Sequence, residues 1–354
     1  MKIKLTPSFT VENFTVPYII AEIGSNHNGD MGLAKKIIDS AVEAGADAVK
    51  FQSWTPESLI ATEEYEANTV YTDDPKKHWG SLREMVEEYY LREEEHKELY
   101  DYCKGKGVDF CSTPFSGEEA DLLHELGVPF FKVASMDINN LRLLKHIASF
   151  GKPLILSTGM ATLGEIEQAI ETLENAGNTD IILLHCVSVY PPEMETVNLR
   201  NITMLQQTFG YPVGFSDHTI GSAIPLASVA LGACMIEKHF TIDKDLPGWD
   251  HKISANPEEM SEITKESKHI AAAMGGHRRV ISDVEKEKMP KMRRSIVTAK
   301  ELKKGSVITE EDLVFKRPGW GIPPDQTKFV VGHTLNRDCP ADAVLSWNDV
   351  KKEE

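Results

Sequence analysis

Short runs of apolar, mostly β-branched residues alternate along the chain with longer stretches whose apolar side chains recur every three or four positions. Eight such runs occupy 18–24, 47–52, 108–115, 129–135, 153–159, 181–188, 213–219 and 235–241. Most of them begin as continuous apolar segments, which is typical of strands that are buried on both faces. The pattern therefore predicts eight parallel strands.

The stretches between the runs predict amphipathic helices with recognisable ends. Ser116 and Thr162 stand at expected N-caps, Glu165 occupies the capping-box position, and Gly127 follows a helix end. Alternating strands and helices imply a parallel sheet, and eight is the number that closes into a TIM barrel. We therefore predict an α/β fold with a (β/α)8 barrel over residues 1–280. A doubly wound open sheet is the alternative.

The chain changes character after residue 280. Residues 281–293 are charged and lack aromatics, which predicts a linker. Residues 294–354 carry short runs separated by the turn sequences KKGS, RPGWG and CPADA, which predicts a small β-rich domain. A domain of about 60 residues buries little core alone, so we expect it to pack on its own barrel or on a neighbouring subunit.

Composition excludes several classes of partner. The net charge of −17 argues against nucleic acid and anionic membranes, although a buried pocket could still bind a small anion. Five scattered cysteines without a CxxC pair indicate free thiols in a reducing cytoplasm. No signal peptide is visible, and no apolar run approaches the roughly 18 residues that a membrane span needs.

Candidate chemistry lies at the carboxyl ends of the predicted strands, where such barrels place their active sites. Nearly every end is polar: Glu22, Lys50, Gln52, Thr113, Lys132, Ser135, Asp137, Ser157, Ser188, Tyr190, Ser216, His218 and His239. Two lysines together with serine hydroxyls favour a site for phosphate or carboxylate over solvated surface lysines.

His218 and His239 end the seventh and eighth predicted strands and could reach one divalent cation. A carboxylate from Asp137 or Glu22, water and a substrate oxygen could complete its coordination shell. The spacing equally allows each imidazole to form only local hydrogen bonds at the start of a loop.

Two further residues are candidates for a substrate contact. Asp250 lies in the turn-rich loop after the eighth run, where it could meet a polyol or belong to a solvated turn. Arg317 lies in the RPGWG turn and could close the pocket of another domain. His251, His277 and His333 have no comparable setting and are expected to be surface or local-support residues.

Several motifs, in order and with matching spacing, resemble the bacterial sialic acid synthases, also called N-acetylneuraminate or nonulosonic acid synthases. These motifs are AEIGSNHNGD, AVKFQSW, STPFS, LILSTGMATLGEI, LLHCVSVYPP, GFSDHT, IEKHFT and KRPGWGI. The resemblance covers nearly the whole chain, and the C-terminal part is similar to the family's antifreeze-like (SAF) domain.

The resemblance implies an enzyme that condenses phosphoenolpyruvate with an N-acetylated hexosamine aldehyde and releases phosphate. It implies that phosphoenolpyruvate is held by Lys50, Thr113, Lys132, Ser135, Ser157, Ser188 and Ser216. It also implies a domain-swapped homodimer in which Arg317 reaches the partner subunit's barrel.

For the metal and the sugar, the resemblance implies further roles. His218 and His239 would bind a divalent ion, Mn²⁺ by preference, with Mg²⁺ or Co²⁺ as alternatives. The sugar would be met by Glu22, Gln52, Tyr190, Asp250 and Arg317. Glu22 or Asp137 would be the general base, and the residues do not decide between them.

Three departures from the family pattern bear on the metal geometry and the acceptor. Asp137 stands where the well-known members carry Glu, and Ser188 stands where some carry Asn or Thr. The sequence PGWDH replaces the commoner GPDH beside Asp250. The acceptor therefore stays open between N-acetylmannosamine, a diacetamido-trideoxyhexose and a 6-phosphate, while the RPGWG and SDHT forms look less like the pseudaminic acid branch.

Two other functions remain as alternatives. A related phosphoenolpyruvate-dependent synthase with a phosphorylated acceptor would need additional basic residues and lacks the C-terminal module. A non-catalytic polysaccharide-assembly protein on the same scaffold would be expected to lose the lysines or histidines at the strand ends, and all of them are present here.

Overall fold

The computed structural model describes residues 1–69, 80–276 and 278–351. The chain divides into two compact units, Met1–Gly275 and Gly276–Glu354, which we call the barrel unit and the C-terminal unit. Within the described ranges, no helix is both long enough and apolar enough to cross a membrane. All five cysteine thiols are free and buried. His277 lies outside the described residues.

The barrel unit contains ten strands and eleven α-helices among its described residues. The strands are β1 (Lys2–Lys4), β2 (Thr10–Glu12), β3 (Tyr18–Gly24), β4 (Ala48–Ser53), β5 (Asp109–Pro114), β6 (Phe131–Val133), β7 (Leu154–Ser157), β8 (Ile181–Cys186), β9 (Val213–Asp217) and β10 (Met235–His239). The helices are α1 (Met31–Glu43), α2 (Pro56–Leu59), α3 (Thr62–Ala67), α4 (Leu82–Tyr89), α5 (Glu93–Lys106), α6 (Gly117–Leu126), α7 (Leu141–Ala148), α8 (Leu163–Asn175), α9 (Arg200–Phe209), α10 (Ala223–Ala230) and α11 (Pro257–Met274).

The eight predicted strands are all present and form one parallel sheet. Its hydrogen-bonded order is β5-β4-β3-β10-β9-β8-β7-β6, so the last strand pairs with the first of the eight. β5 and β6 lie at the two ends of this order, and the sheet is a nearly closed barrel. The barrel prediction is therefore confirmed, and the doubly wound alternative is excluded.

Local sequence explains the elements. All seven residues of β3 are buried, as expected for a strand covered on both faces. Ser116 accepts the backbone N–H of Glu119 at the start of α6, and Gly127 ends that helix with φ 86°. Thr162 and Glu165 form the capping box of α8.

The amino ends of the strands are sealed by apolar packing. The antiparallel hairpin of β1 and β2 contributes Ile3 and Val11 to a core cluster with the strand residues. The ring of Tyr18 meets Phe9 and Phe130 edge-on, at centroid distances of 4.9 and 5.9 Å. This packing closes the amino end of the barrel, and the cavity lies at the opposite end.

The segment expected to be a linker contains a helix in the structure, α12 (Asp283–Met292). Ser282 accepts the backbone N–H of Glu285, whose carboxylate accepts the N–H of Ser282 in return. The segment 281–293 is mostly charged and contains Pro290, which is why it was predicted to be a linker.

The remainder of the C-terminal unit is β-rich, as predicted. Two antiparallel pairs join β11 (Ser295–Thr298) with β12 (Leu313–Lys316) and β13 (Thr334–Leu335) with β14 (Val350–Lys351). A small core that includes Ile296 lies between them.

His27 follows β3 and is a buried neutral histidine. It is 1% exposed, and its Nδ1 accepts the backbone N–H of Gly29 at 3.1 Å. Burial, reinforced by His96 and His251, lowers its pKa from 6.5 to about 4. Between these two pKa values the imidazole is protonated in the unfolded chain but not in the native protein. The free energy of unfolding therefore falls as the pH drops from 6.5 toward 4.

We predict that His27→Asn weakens this pH dependence, because the amide oxygen of Asn can accept the same N–H without titrating. Between pH 7 and pH 5 the wild type should lose about 2 kcal/mol more of its free energy of unfolding than the variant. Urea unfolding at both pH values measures the difference, and an equal loss in both proteins would contradict the prediction.

Candidate active site

The carboxyl ends of the barrel strands surround a cavity of about 380 Å³. Most of the residues predicted from the strand ends line it, and so does Asp250 from the loop after β10. The predicted residues in its wall are Glu22, Lys50, Gln52, Thr113, Lys132, Ser135, Ser157, Ser188, Tyr190, Ser216, His218, His239 and Asp250.

Lys50 and Glu22 form a buried ion pair in this cavity, with 2.7 Å between Nζ and Oε2. Nζ also donates to Thr113 Oγ1 at 3.1 Å, and Gln52 donates to Glu22 Oε1 at 2.9 Å. Burial opposes the charged form of Lys50, but Glu22 and Glu237 outweigh it and raise the Lys50 pKa. Burial, opposed by Lys50 and reinforced by Glu237, raises the pKa of Glu22 to about 7.

Glu237 is a second buried carboxylate at the centre of the site. Its oxygens lie 3.9 Å from Lys50 Nζ and 3.8 Å from Lys132 Nζ, and Ser216 donates to Oε1 at 2.9 Å. Burial raises its pKa, but Lys132 and Lys50 overcome that effect and lower it to about 2. Glu237 is therefore ionised at neutral pH.

Sequence reasoning missed Glu237, although a signal was available. Alternate residues of a strand face the same side of a sheet, and Glu237 lies two positions before His239. The inward direction of one residue therefore implies that of the other. Other lining residues, such as Cys186 and Met160, carry no polar signal that a pattern could reveal.

Lys132 is the second buried lysine of the cavity. Its Nζ donates to Ser157 Oγ at 2.7 Å and to the carbonyl of Val133 at 3.0 Å. Burial, partly opposed by Glu237, lowers its pKa. The nearby hydroxyl of Ser135 accepts the backbone N–H of Gly159 at 3.0 Å. Cations and hydroxyls are thus gathered as an anion site requires.

The imidazoles of His218 and His239 lie side by side, with ring centroids 5.6 Å apart. His218 Nδ1 is 2.8 Å from the carbonyl oxygen of Val187, which can only accept, so Nε2 keeps its lone pair. Among the residues that the structure describes, the buried His239 Nδ1 has no hydrogen-bond partner. Burial is the main cause that lowers the pKa of His218 to about 4 and that of His239 to about 3.

Two neutral imidazoles with available lone pairs are suitable ligands for a first-row divalent cation. In the part of the chain that the structure describes, no group of three or more His, Cys, Asp or Glu side chains could hold a metal ion. A cation held by these two rings would keep most of its coordination positions for water or substrate oxygens, which a catalytic site requires.

Tyr190 and Asp250 lie on the outer side of this pair. The ring of Tyr190 is 4.0 Å from that of His218, and Asp250 Oδ2 is 3.7 Å from His239 Nδ1. His251 anchors the Asp250 loop through Thr241 Oγ1, 2.7 Å from its Nδ1. His251 is 1% exposed, so it has the local-support role rather than a surface position.

One predicted residue of the barrel unit, Asp137, lies outside the cavity wall. It lies in a short 3-10 turn, where its Oδ1 accepts from Asn140 at 3.1 Å. Burial raises its pKa. Arg317 belongs to the C-terminal unit and directly follows β12.

We predict that Glu237→Gln lowers the free energy of unfolding by about 3 kcal/mol, because it leaves two buried lysines with too little compensating charge. Urea unfolding measures the loss. The control is Glu12→Gln, which breaks an exposed ion pair with Lys2 and should cost less than about 1 kcal/mol. Equal costs for the two substitutions would contradict the charge balance described above.

Buried cations, carboxylates and neutral histidines lie together at the carboxyl end of this parallel barrel. Such an arrangement is typical of an enzyme active site. Comparison with known proteins shows the family to which the chain belongs. The NeuB family model matches residues 37–279, and the SAF domain model matches residues 293–351. The chain belongs to the NeuB family, the sialic acid synthases that its motifs resemble, and carries a C-terminal SAF domain.

Two relatives and one solved structure illustrate the family. The chain is 42% identical to the N,N'-diacetyllegionaminic acid synthase of Campylobacter jejuni, over 92% of this chain and 98% of that protein. It is 40% identical to the enzyme of the same name from Legionella pneumophila, over 94% of each. A crystal structure of the N-acetylneuraminic acid synthetase of Leptospira borgpetersenii, in complex with citrate, superposes with a TM-score of 0.73 at 35% identity, over 81% of this chain and 95% of that one.

Proposed function

We propose that this enzyme condenses phosphoenolpyruvate with an N-acetylhexosamine-type aldehyde to give a nine-carbon sialic acid-type sugar and phosphate. The observation that carries the proposal is that two buried lysines and two neutral histidines line the same cavity. The first pair suits a phosphorylated carboxylic acid, and the second suits a cation that activates a carbonyl.

Phosphoenolpyruvate would lie between Lys50 and Lys132. The surrounding hydroxyls of Thr113, Ser135, Ser157, Ser188 and Ser216 would donate to its phosphate and carboxylate oxygens. Lys132 already donates to Ser157 Oγ, so both groups are directed into one small volume before the substrate arrives. Such preorganisation lowers the cost of fixing the substrate.

His218 and His239 would hold the divalent ion, with Mn²⁺ as the first choice and Mg²⁺ or Co²⁺ as alternatives. A bound Mn²⁺ would supply Lewis acidity to the aldehyde carbonyl of the acceptor. The two rings fit this role because both are neutral and because no described residue forms a hydrogen bond with His239 Nδ1. The open coordination positions leave room for an acceptor oxygen.

The C3 carbon of phosphoenolpyruvate attacks the aldehyde carbon, and the aldehyde oxygen takes up a proton to become a hydroxyl. Positive charge develops on C2, where the ionised Glu237 would stabilise it. Water adds to C2, and the C–O bond to phosphate then breaks as the C2 hydroxyl becomes a ketone and its proton passes to the departing phosphate. The other proton of the water is given up when it adds, and it balances the proton that the aldehyde oxygen takes up. Glu22, with a pKa of about 7, is poised to accept that proton at neutral pH, and it lines the cavity whereas Asp137 does not.

The acceptor would contact Gln52, Tyr190 and Asp250, with Arg317 supplied by the SAF domain of a partner subunit in a domain-swapped homodimer. The two legionaminic acid synthases among the relatives support a diacetamido-trideoxyhexose over N-acetylmannosamine. Phe115, a further lining residue, would offer apolar surface to the deoxy carbon of such a sugar. The five free thiols support a cytoplasmic location.

We predict Mn²⁺-dependent phosphate release from phosphoenolpyruvate that requires an acceptor. A coupled phosphate assay across N-acetylmannosamine, its 6-phosphate and the diacetamido-trideoxyhexose measures it, and the last acceptor should give the highest kcat/KM. EDTA should abolish turnover and Mn²⁺ should restore it.

The matched variant for this assay is His239→Ala, which should not be rescued by Mn²⁺. Full turnover of His239→Ala would contradict the metal assignment. Phosphate release without any acceptor, or none with all three, would contradict the synthase proposal, and a preference for the 6-phosphate would favour the phosphorylated-acceptor alternative.

We predict that Arg317→Ala raises the acceptor KM far more than the phosphoenolpyruvate KM. If the SAF domain acts across the dimer, mixing two poorly active variants, Arg317→Ala and His239→Ala, and allowing subunit exchange should restore about a quarter of the wild-type activity. One site of each mixed dimer would then combine an intact barrel with an intact arginine. No recovery after verified exchange would contradict the swap.

A further inference from the structure

Lys238 lies between two inward-facing residues of β10 and points to the other side of the sheet. Its side chain is 1% exposed, and its Nζ binds Asp217 Oδ2 at 2.6 Å and the carbonyl of Thr219 at 2.6 Å. Asp217 Oδ1 accepts the backbone N–H of Thr219 at 2.9 Å. The three bonds form a closed network, which we call the Lys238–Asp217 clamp.

The clamp surrounds His218. β9 ends at Asp217, so His218 and Thr219 lie beyond the strand and are not held by its ladder to β10. Lys238, which directly precedes His239, binds Asp217 and Thr219, the two residues on either side of His218. It therefore links the backbone positions of the two imidazoles.

Stability alone does not account for a buried ion pair of this kind. Desolvation of two charges offsets their attraction, and an apolar pair of similar volume is commonly as stable or more stable. The hydrogen bonds of the Lys238–Asp217 pair are directional and can fix the positions of the residues they join, which an apolar pair cannot do.

We propose that the Lys238–Asp217 clamp is a positioning device that sets the spacing of the His218 and His239 rings and thereby the affinity of the site for a divalent cation. The proposal rests on the metal role that the proposed function gives to the two histidines. Neither clamp residue lines the cavity, so both would act through the histidines rather than on substrate.

The test uses the full-length double variant Asp217→Leu/Lys238→Met, which replaces the ion pair with apolar side chains. Its free energy of unfolding should stay close to that of the wild type, whereas its affinity for Mn²⁺ alone, measured by titration calorimetry, should fall roughly 10- to 100-fold. In assays, the Mn²⁺ concentration for half-maximal activity should rise, while the phosphoenolpyruvate KM should not.

Asp217→Asn provides a second variant, because it keeps the shape and the bond to Thr219 N–H while it removes the charge. Its Mn²⁺ affinity should fall less than that of the double variant. Tyr18→Phe is the control: it removes a partly buried 2.6 Å hydrogen bond to Asp109 at the amino end of the barrel and should leave Mn²⁺ affinity unchanged.

A folded double variant with wild-type Mn²⁺ affinity would overturn the clamp and leave the proposed function intact. If the double variant does not fold, wild-type affinity in Asp217→Asn would overturn it instead. A wild-type protein that binds no Mn²⁺ would overturn the metal role and the clamp together, so the two failures are distinguishable.

Discussion

A lysine ammonium stays charged inside a protein only where carboxylates lie within reach, and the mouth of this barrel is arranged around that requirement. Lys50 lies against Glu22 and near Glu237, and Lys132 lies near Glu237. The same carboxylates acquire different properties from their surroundings. Glu237, between two cations, has a pKa of about 2, whereas that of Glu22 is about 7. One charge balance thus provides both a permanent anion and a titratable base.

Much of the fold could be read from the sequence because barrel strands are buried on both faces and leave continuous apolar runs. The eight strands, the capping box at Thr162 and the β-rich C-terminal unit are examples. Helix α12 was not predicted because its residues are mostly charged and include Pro290, and the cap at Ser282 is a weaker signal inside such a segment.

Part of the candidate site was predictable because the carboxyl ends of all barrel strands meet at one end of the barrel. The positions of Lys50, His218 and His239 follow from the barrel alone. The contacts between these side chains do not follow, because they depend on the register between neighbouring strands, and the sequence of one strand does not encode that register. Glu237 and Lys238 lie within a strand rather than at its end, and Asp137 lies in a short turn where it accepts a hydrogen bond from Asn140.

The consecutive residues Glu237, Lys238 and His239 have a consequence for how this enzyme can evolve. Because strand residues alternate between faces, a one-residue insertion or deletion that shifts these three positions of β10 would move the carboxylate and the imidazole outward and the lysine inward. Under the proposed function, this single change would remove both side chains from the site. The Asp250 loop is not part of a strand and carries no such constraint, so under the proposed function new acceptor preferences would arise there through changes in length and composition.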